Sequence, residues 1–372
     1  MTRTGMTRWI LVTALLASST GLAACTASEP RPDPPLPPPS TDRMLMARAS
    51  HTASPLPDGS VLIAGGCTTA GCGGTARGGQ TEIYMRDGFR QGPVMVRARM
   101  GHTATVLPDG RILFLGGYPQ ERSAPLAEAE VFDPKTGSFS PTGAMREGRG
   151  SHTATLLHDG RVLVVGGVSG FAALSTAEVW SPATGRFTPV ANMPSRRATH
   201  GATLLGDGRV LVVGGQSLPG HGNGLTASTV LYDPPSDSWT AGPDLAEPKY
   251  KLAVASLADG GAIVIGGQTG DDAALRLRTT EIYRGGGFTA GPRMAQPRYK
   301  ISEAVLRLPD GRIVVAGNTG VEVFTGSGFV AVGEPGVERQ FPAVAPFGGR
   351  VLVTGGYSEQ TQPTDSFALV NV

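Results

Sequence analysis

The stretch SHTATLLHDGRVLVVGG at Ser151–Gly167 decides the architecture, because the chain keeps rewriting it. MGHTATVLPDGRILFLGG stands before it at Met100–Gly117, THGATLLGDGRVLVVGG after it at Thr199–Gly215, and SHTASPLPDGSVLIAGG opens the series at Ser50–Gly66. Two altered copies end at Gly266-Gly267 and Gly317-Asn318, and a last one at Gly355-Gly356. A period of about fifty residues is what a propeller or solenoid writes into sequence. Within a copy, HTATLL alternates like a half-buried strand and RVLVV is the unbroken β-branched run of a buried one. Asp58, Asp109, Asp159, Asp207, Asp259 and Asp310 each precede a glycine between those runs. Asp-Gly suits a tight hairpin turn because the turn needs positive φ. Recurrence at one turn makes these aspartates structural rather than catalytic or metal-binding.

After each Gly-Gly comes a polar loop of varied length and then a third strand, such as TEIY at Thr81–Tyr84 or AEVW at Ala177–Trp180. A turn such as SPATG (Ser181–Gly185) leads to a fourth strand opened by an aromatic: Phe89, Phe139, Phe187, Trp239, Phe288 and Phe329. The third- and fourth-strand aromatics read as packing between neighbouring repeats.

Four strands per copy, a Gly-Gly after the second, a tyrosine-like residue in the third and a tryptophan-like one in the fourth resemble the kelch repeat. The resemblance covers nearly all of residues 44–372 and implies an all-β, seven-bladed kelch-type β-propeller, a ring with no long exposed edge. Six blades is the alternative count. Only one strand, Ser366–Val372, remains after the last Gly-Gly, so the segment just before Met44 is expected to supply the missing outer strand and close the ring. Met44 precedes His51 by the same interval that separates Met95 from His102.

The chain divides by composition into residues 1–24, 25–41 and 42–372. Met1–Ala24, with Arg3, Arg8 and the apolar run Trp9–Leu16, reads as a secretory signal. It ends Leu22-Ala23-Ala24-Cys25, which looks like a bacterial lipobox. That resemblance implies lipidation of Cys25 and anchoring in the cell envelope, with Thr26 pointing to the outer membrane; several acyl chains anchor stably where one would not. TASEPRPDPPLPPPST, Thr26–Thr41, is a Pro-rich tether. Outside the cytoplasm, Cys67 and Cys72 in the first long loop are expected to form a disulfide.

Lys and Arg number 32 and Asp and Glu 30, giving a net charge of +2, so electrostatics offers no case for nucleic acid. Variability concentrates in the loops after the second strands and in the crossings between blades, which share one face, and function on repeat scaffolds sits where insertions cluster. Three residues before each first-strand histidine or its equivalent stands a base: Arg48, Arg99, Arg149, Arg197, Lys249, Arg298 and Arg339. Two readings stay open. A cationic ring would grip carboxylates, as the arginines of kelch propellers that bind acidic peptides do. A ladder to Glu82, Glu130, Glu178, Glu281 and Glu322, which recur too, would consume the charge. His51, His102, His152 and His200 also recur, but Leu252, Ile301 and Pro342 replace them later, so hydrogen-bonded strand-end histidines are expected rather than a metal site. Tyr250, Lys251, Tyr299 and Lys300, in PKYKL and PRYKI, break the pattern side by side, with Glu303 and Glu338 nearby in the chain. Paired tyrosines and cations suit an acidic sugar or a peptide carboxylate.

No nucleophile–base–acid set stands at a unique place and no cofactor is implied, so an envelope-displayed binding module for protein or glycan leads. The alternative is an extracytoplasmic sugar-acting enzyme. DGRVLVVGG also resembles the propeller of galactose oxidase, a copper-radical enzyme that needs a ligand-bearing domain after the propeller. A kelch-type sialic acid epimerase is a nearer comparison. A purely structural envelope component is the third reading.

Overall fold

The computed structural model describes residues 40–70, 79–120, 123–218, 224–318, 320–333, 339–358 and 361–372. Among the described residues seven antiparallel blade sheets follow one another, each a meander in chain order, with a further two-stranded sheet, Val168–Ser169 with Ala172–Ala173, in a loop of blade three. Blade one is Thr52–Pro55, Val61–Ala64, Glu82–Met85 and Gly88–Gln91. Five more four-stranded sheets repeat it, and the seventh has three strands, Ala343–Phe347, Arg350–Thr354 and Phe367–Asn371. The count is seven.

Each Asp-Gly turn is held locally. Asp109 Oδ1 accepts the Arg111 backbone N–H at 3.0 Å, and Gly110 takes φ +88°. Asp159, Asp207 and Asp310 do the same for Arg161, Arg209 and Arg312. The second strands are buried on both faces because every sheet is sandwiched between two others, which is why RVLVV never alternates.

The apolar core accordingly lies between blades. Leu62, Ala64 and Met95 of blade one pack on Ile112, Phe114 and Phe132 of blade two. Leu107 and Leu113 of blade two meet Val162, Val164 and Trp180 of blade three. The aromatics serve both levels: Tyr84 faces Phe89 across strands three and four at 4.6 Å between centroids, and both enter the cluster shared with Ala345, Phe347 and Leu352 of blade seven.

That last cluster closes the ring, and the N-terminal segment stitches it. The Met44 N–H donates to Asp365 O at 2.8 Å and the Arg48 N–H to Thr364 O at 3.1 Å, while Ser40 exchanges backbone bonds of 3.0 and 2.8 Å with Phe89 of blade one. Ser40 thus pairs with the outer strand of the first blade, not with Phe367–Asn371. The segment just before Met44, expected to supply the outer strand of blade seven, forms no strand there in residues 40–43, and that blade has three strands among the described residues. The signal segment, Cys25 and most of the tether lie outside the described residues. Cys67 is one half of a disulfide; Cys72 lies outside the described residues.

The repeated bases are a correction to the free-ring reading. Arg48, Arg99, Arg149, Arg197, Lys249 and Arg298 are fully buried. Arg99 shows the pattern: Nη2 donates to Glu130 at 2.8 Å, while Nη1 donates to the carbonyls of Gly116 at 3.0 Å and Glu128 at 3.1 Å. Arg48–Glu82, Arg149–Glu178, Lys249–Glu281 and Arg298–Glu322 repeat the ion pair. The other carboxylate oxygen holds the incoming crossing, as where Glu130 Oε2 accepts the Val96 N–H at 2.7 Å. Burial lowers the Arg48 pKa and raises that of Glu82, and their mutual attraction opposes both shifts. Two blades lack the acid. Val230 replaces it in blade four, where Arg197 donates to Ser195 and Ser228 hydroxyls and burial brings its pKa down to about 10. Ala368 replaces it in blade seven, where the half-buried Arg339 reaches the Ser366 carbonyl at 3.2 Å.

The Gly-Gly pair follows from the same crossing. A Cβ on Gly65 would lie 2.5 Å from both Arg99 O and His102 Cε1 of the next blade.

Removing one partner of a buried pair leaves the other charge unpaired, at a cost of about 3–5 kcal/mol. Arg99→Met, which strands Glu130, should lose that much in urea unfolding, whereas Arg197→Met, which strands no carboxylate, should lose clearly less.

Candidate functional site

At each crossing the chain must turn sharply into the first strand, and it does so through one left-handed residue per blade. These are Ser50, Gly101, Ser151, Thr199, Lys251, Lys300 and Phe341, with φ between 53° and 56°. Only one is glycine, and such backbone costs of order 1–3 kcal/mol per residue when it is not. Neighbouring blades repay part of that cost. The Gly101 N–H donates to Ser50 O at 3.0 Å, Thr199 to Ser151 at 3.0 Å, Lys251 to Thr199 at 2.9 Å, Lys300 to Lys251 at 2.9 Å, and Ser50 to Phe341 at 3.3 Å. These five bonds join the residues into two arcs of one circle around the mouth of the central channel, Phe341–Ser50–Gly101 and Ser151–Thr199–Lys251–Lys300, on the loop face.

Inside that circle is a cavity of about 390 Å³, lined by all seven left-handed residues with Tyr118, Tyr357, His102, His152, His200 and Glu303. This is the size of a small-ligand site. The backbone is seven-fold and the side chains are not. Blades one to four contribute Ser50, Gly101, Ser151 and Thr199, small and neutral, while blades five to seven contribute Lys251, Lys300 and Phe341.

Lys251 and Lys300 are half-buried, and neither has a carboxylate partner within ion-pair distance among the described residues. Lys251 Nζ donates to the Tyr250 hydroxyl at 3.1 Å. Lys300 Nζ lies 3.4 Å from Gln340 Oε1, 5.2 Å from the Tyr299 ring centre and 5.1 Å from that of Phe341. Burial lowers both ammonium groups, and with the Lys251 charge close by Lys300 falls to about 8. The two tyrosines are buried supports: Tyr250 O–H donates to Asp271, with Gln268 donating to the same hydroxyl, and Arg276 stacks 4.2 Å from the Tyr299 centre.

Of the residues singled out in sequence, the structure therefore brings Lys251 and Lys300 to the cavity, places Tyr250 and Tyr299 behind them, and withdraws six repeated bases into the blades. Glu338 lies outside the described residues. The chief residue that sequence reading underweighted is Glu303. Ten positions separate Lys300 from Asp310, whereas eight separate Lys251 from Asp259 and Ser151 from Asp159. Those two extra residues form a turn closed by Ala304 N–H on Ile301 O at 3.0 Å, and the first strand of blade six starts only at Val305. The Glu303 side chain lines the cavity with no hydrogen-bond or ion partner among the described residues, and burial pushes its carboxyl up to about 7.

The histidines behave as strand-end groups. Nε2 of His102 pairs with Thr52 Oγ1 at 3.1 Å, His152 with Thr103 at 3.1 Å, and His200 with Thr153 at 2.9 Å, each reaching the preceding blade. In blade five Leu252 replaces the histidine and Gly201 its threonine partner; a Cβ on Gly201 would lie 2.6 Å from Leu252 Cδ1. Among the described residues no three His, Cys, Asp or Glu side chains group to hold a metal.

Residues 149–194, around blade three, match the Kelch motif. The chain is a β-propeller that carries a kelch motif. The solved structure of YjhT is similar to it, with a TM-score of 0.54 over 89% of this chain and 96% of that one at 14% identity, which bears on the fold alone. No curated protein matches the chain.

Burial, and next the adjacent arginine, holds His51, His102 and His200 far below the ordinary imidazole range and His152 at about 3. A depressed folded pKa gives stability that is complete above about 6.5 and is lost as pH falls, by up to about 1.4 kcal/mol per pH unit for each histidine. Thermal unfolding followed from pH 7 to 5 should show this decline. Thr153→Gly with His200→Leu, which copies the Gly201–Leu252 pair, should make the slope shallower by about one proton.

Proposed function

We propose that this propeller is a binding module for acidic ligands, a carboxylate-bearing glycan or peptide, seated at the channel mouth on the loop face against blades five and six. The observation that carries the reading is the Lys251–Lys300 pair: two desolvated cations beside one cavity, without carboxylate partners among the described residues. An anion from outside would supply what the six blade-bound bases already have. Strain concentrated on one ring supports the same place, since backbone of this kind persists at ligand sites. Seven stitched blades give those lysines a rigid base, and pre-organisation lowers the cost of binding.

The module is displayed at the bacterial envelope, lipid-anchored through Cys25 and lifted from the membrane by the Pro-rich tether. Support for this comes from the order of segments in sequence: charged start, short apolar run, Leu22-Ala23-Ala24-Cys25, then prolines.

Ligand at a hundred times its Kd stabilises the folded state by about 2.7 kcal/mol. In a thermal-shift screen of the mature chain, glucuronate and acidic peptides should raise the midpoint while glucose does not, and Lys251→Met with Lys300→Met should abolish the shift. Stabilisation by glucose equal to that by glucuronate would sink the acidic reading. Separately, Cys25→Ser should move the protein from the membrane fraction to the soluble one and end labelling by radioactive palmitate.

A further inference from the structure

We propose that Glu303 is the second arm of this site: in its protonated form it donates a hydrogen bond to the acidic group that Lys251 and Lys300 hold, so the ligand is a carboxylic acid taken up together with a proton. This rests on the reading of the cavity as an acid-binding site.

The geometry points this way on three counts. First, Glu303 reaches the channel only because blade six is two residues longer than its neighbours before the Asp-Gly turn, so the group is peculiar to one blade. Second, its backbone is fixed on both sides: the Val344 N–H of blade seven donates to Glu303 O at 3.0 Å, and Ala316 N–H to Ala304 O at 2.9 Å. Third, Glu303 is a lining residue of the same cavity as Lys251 and Lys300, with no side-chain hydrogen bond or ion pair among the described residues. A second carboxylate brought into that space cannot coexist with an ionised Glu303 at short range, and one proton shared between them removes the repulsion.

Among the described residues no other group nearby competes for that role. The strands packed on either side of blade six's first strand, Ala253–Ser256 and Ala343–Phe347, carry no titratable side chain. Across the cavity, His102, His152 and His200 are neutral, and Tyr118 is raised by burial. Tyr357 is the other phenol of the lining, and Asp271 acts on the lysines from the loop behind them. The carboxyl at about 7 and the ammonium of Lys300 at about 8 are the groups poised near neutrality. A bound anion favours the protonated form of both. Affinity should therefore rise as pH falls from 9 toward 6, by up to about tenfold per pH unit for each proton taken up.

The test is calorimetric titration of the mature protein with glucuronate at pH 7.5, in buffers of different ionisation enthalpy, repeated from pH 6 to 9. Net proton uptake is expected. Glu303→Gln places an amide donor where the protonated carboxyl stands: it should bind like the wild type at pH 6, keep more of that affinity at pH 8.5, and take up fewer protons. Adding Lys300→Arg should remove the remaining uptake while binding persists. If the wild type takes up no proton, or Glu303→Gln leaves the proton count unchanged while Lys251→Met with Lys300→Met still abolishes binding, the role of Glu303 falls and the acid-binding site stands. If glucuronate does not bind, or binds unaffected by the lysine substitutions, the site reading itself falls.

Discussion

A base buried at the blade crossing, a guanidinium in five of the seven blades, is the interaction on which most of this molecule depends. In Arg99 one group satisfies a carboxylate, the carbonyl of the first Gly of Gly-Gly and a carbonyl at the start of the third strand. The carboxylate in turn receives the backbone of the arriving chain. A carboxylate left here without its base would be an uncompensated buried charge, whereas blade four keeps Arg197 without an acid, on carbonyl and serine hydroxyl oxygens. The pair fixes where the chain enters its blade. Lys249 fills the same place in blade five with an ammonium that reaches Glu281 and, more loosely, Glu247. A point charge lacks the planar fork that lets arginine hold several acceptors at once.

Fixed crossings have a consequence for the site. Because every chain arrives at the same angle, each must reverse through a left-handed residue, and seven such residues meet at the channel mouth. Five backbone bonds between them run around the opening in one direction, in two arcs. The scaffold thereby offers seven equivalent positions for side chains, and chemistry enters only where the blades differ. Ser, Gly, Ser and Thr leave room on one side; Lys, Lys and Phe furnish the other.

The fold was open to reading because each of its signals is local. Asp-Gly in a turn, an unbroken apolar second strand and a Gly-Gly under a neighbouring backbone mean the same in every copy. The site was legible only in part. Arg99 and Glu130 both recur visibly, yet whether their charges cancel depends on a side chain turning inward at a crossing, which no spacing encodes. Lys251 and Lys300 stood out because they break a repeat. Glu303 left a subtler trace, a length of ten where the other copies have eight. Its meaning required a folded channel for the extra residues to enter. The aromatics, taken as packing between blades, also face each other within a blade, as Tyr84 and Phe89 do. One side chain closes a sheet and a seam together.

The His–Thr contacts make each blade specific to its neighbour. A blade of the first type offers a hydroxyl forward and an imidazole backward; blade five offers leucine to a glycine in blade four that has no room for more. In this contact blades one to three are therefore interchangeable, whereas blade four matches them only backward, through His200, because Gly201 stands where they carry threonine. A copy of blade five moved behind blade two would set leucine against Thr103 and leave that hydroxyl without its imidazole. Growth of the ring by duplication is thus confined to like neighbours, and the Gly201–Leu252 junction marks a boundary across which blades cannot be shuffled.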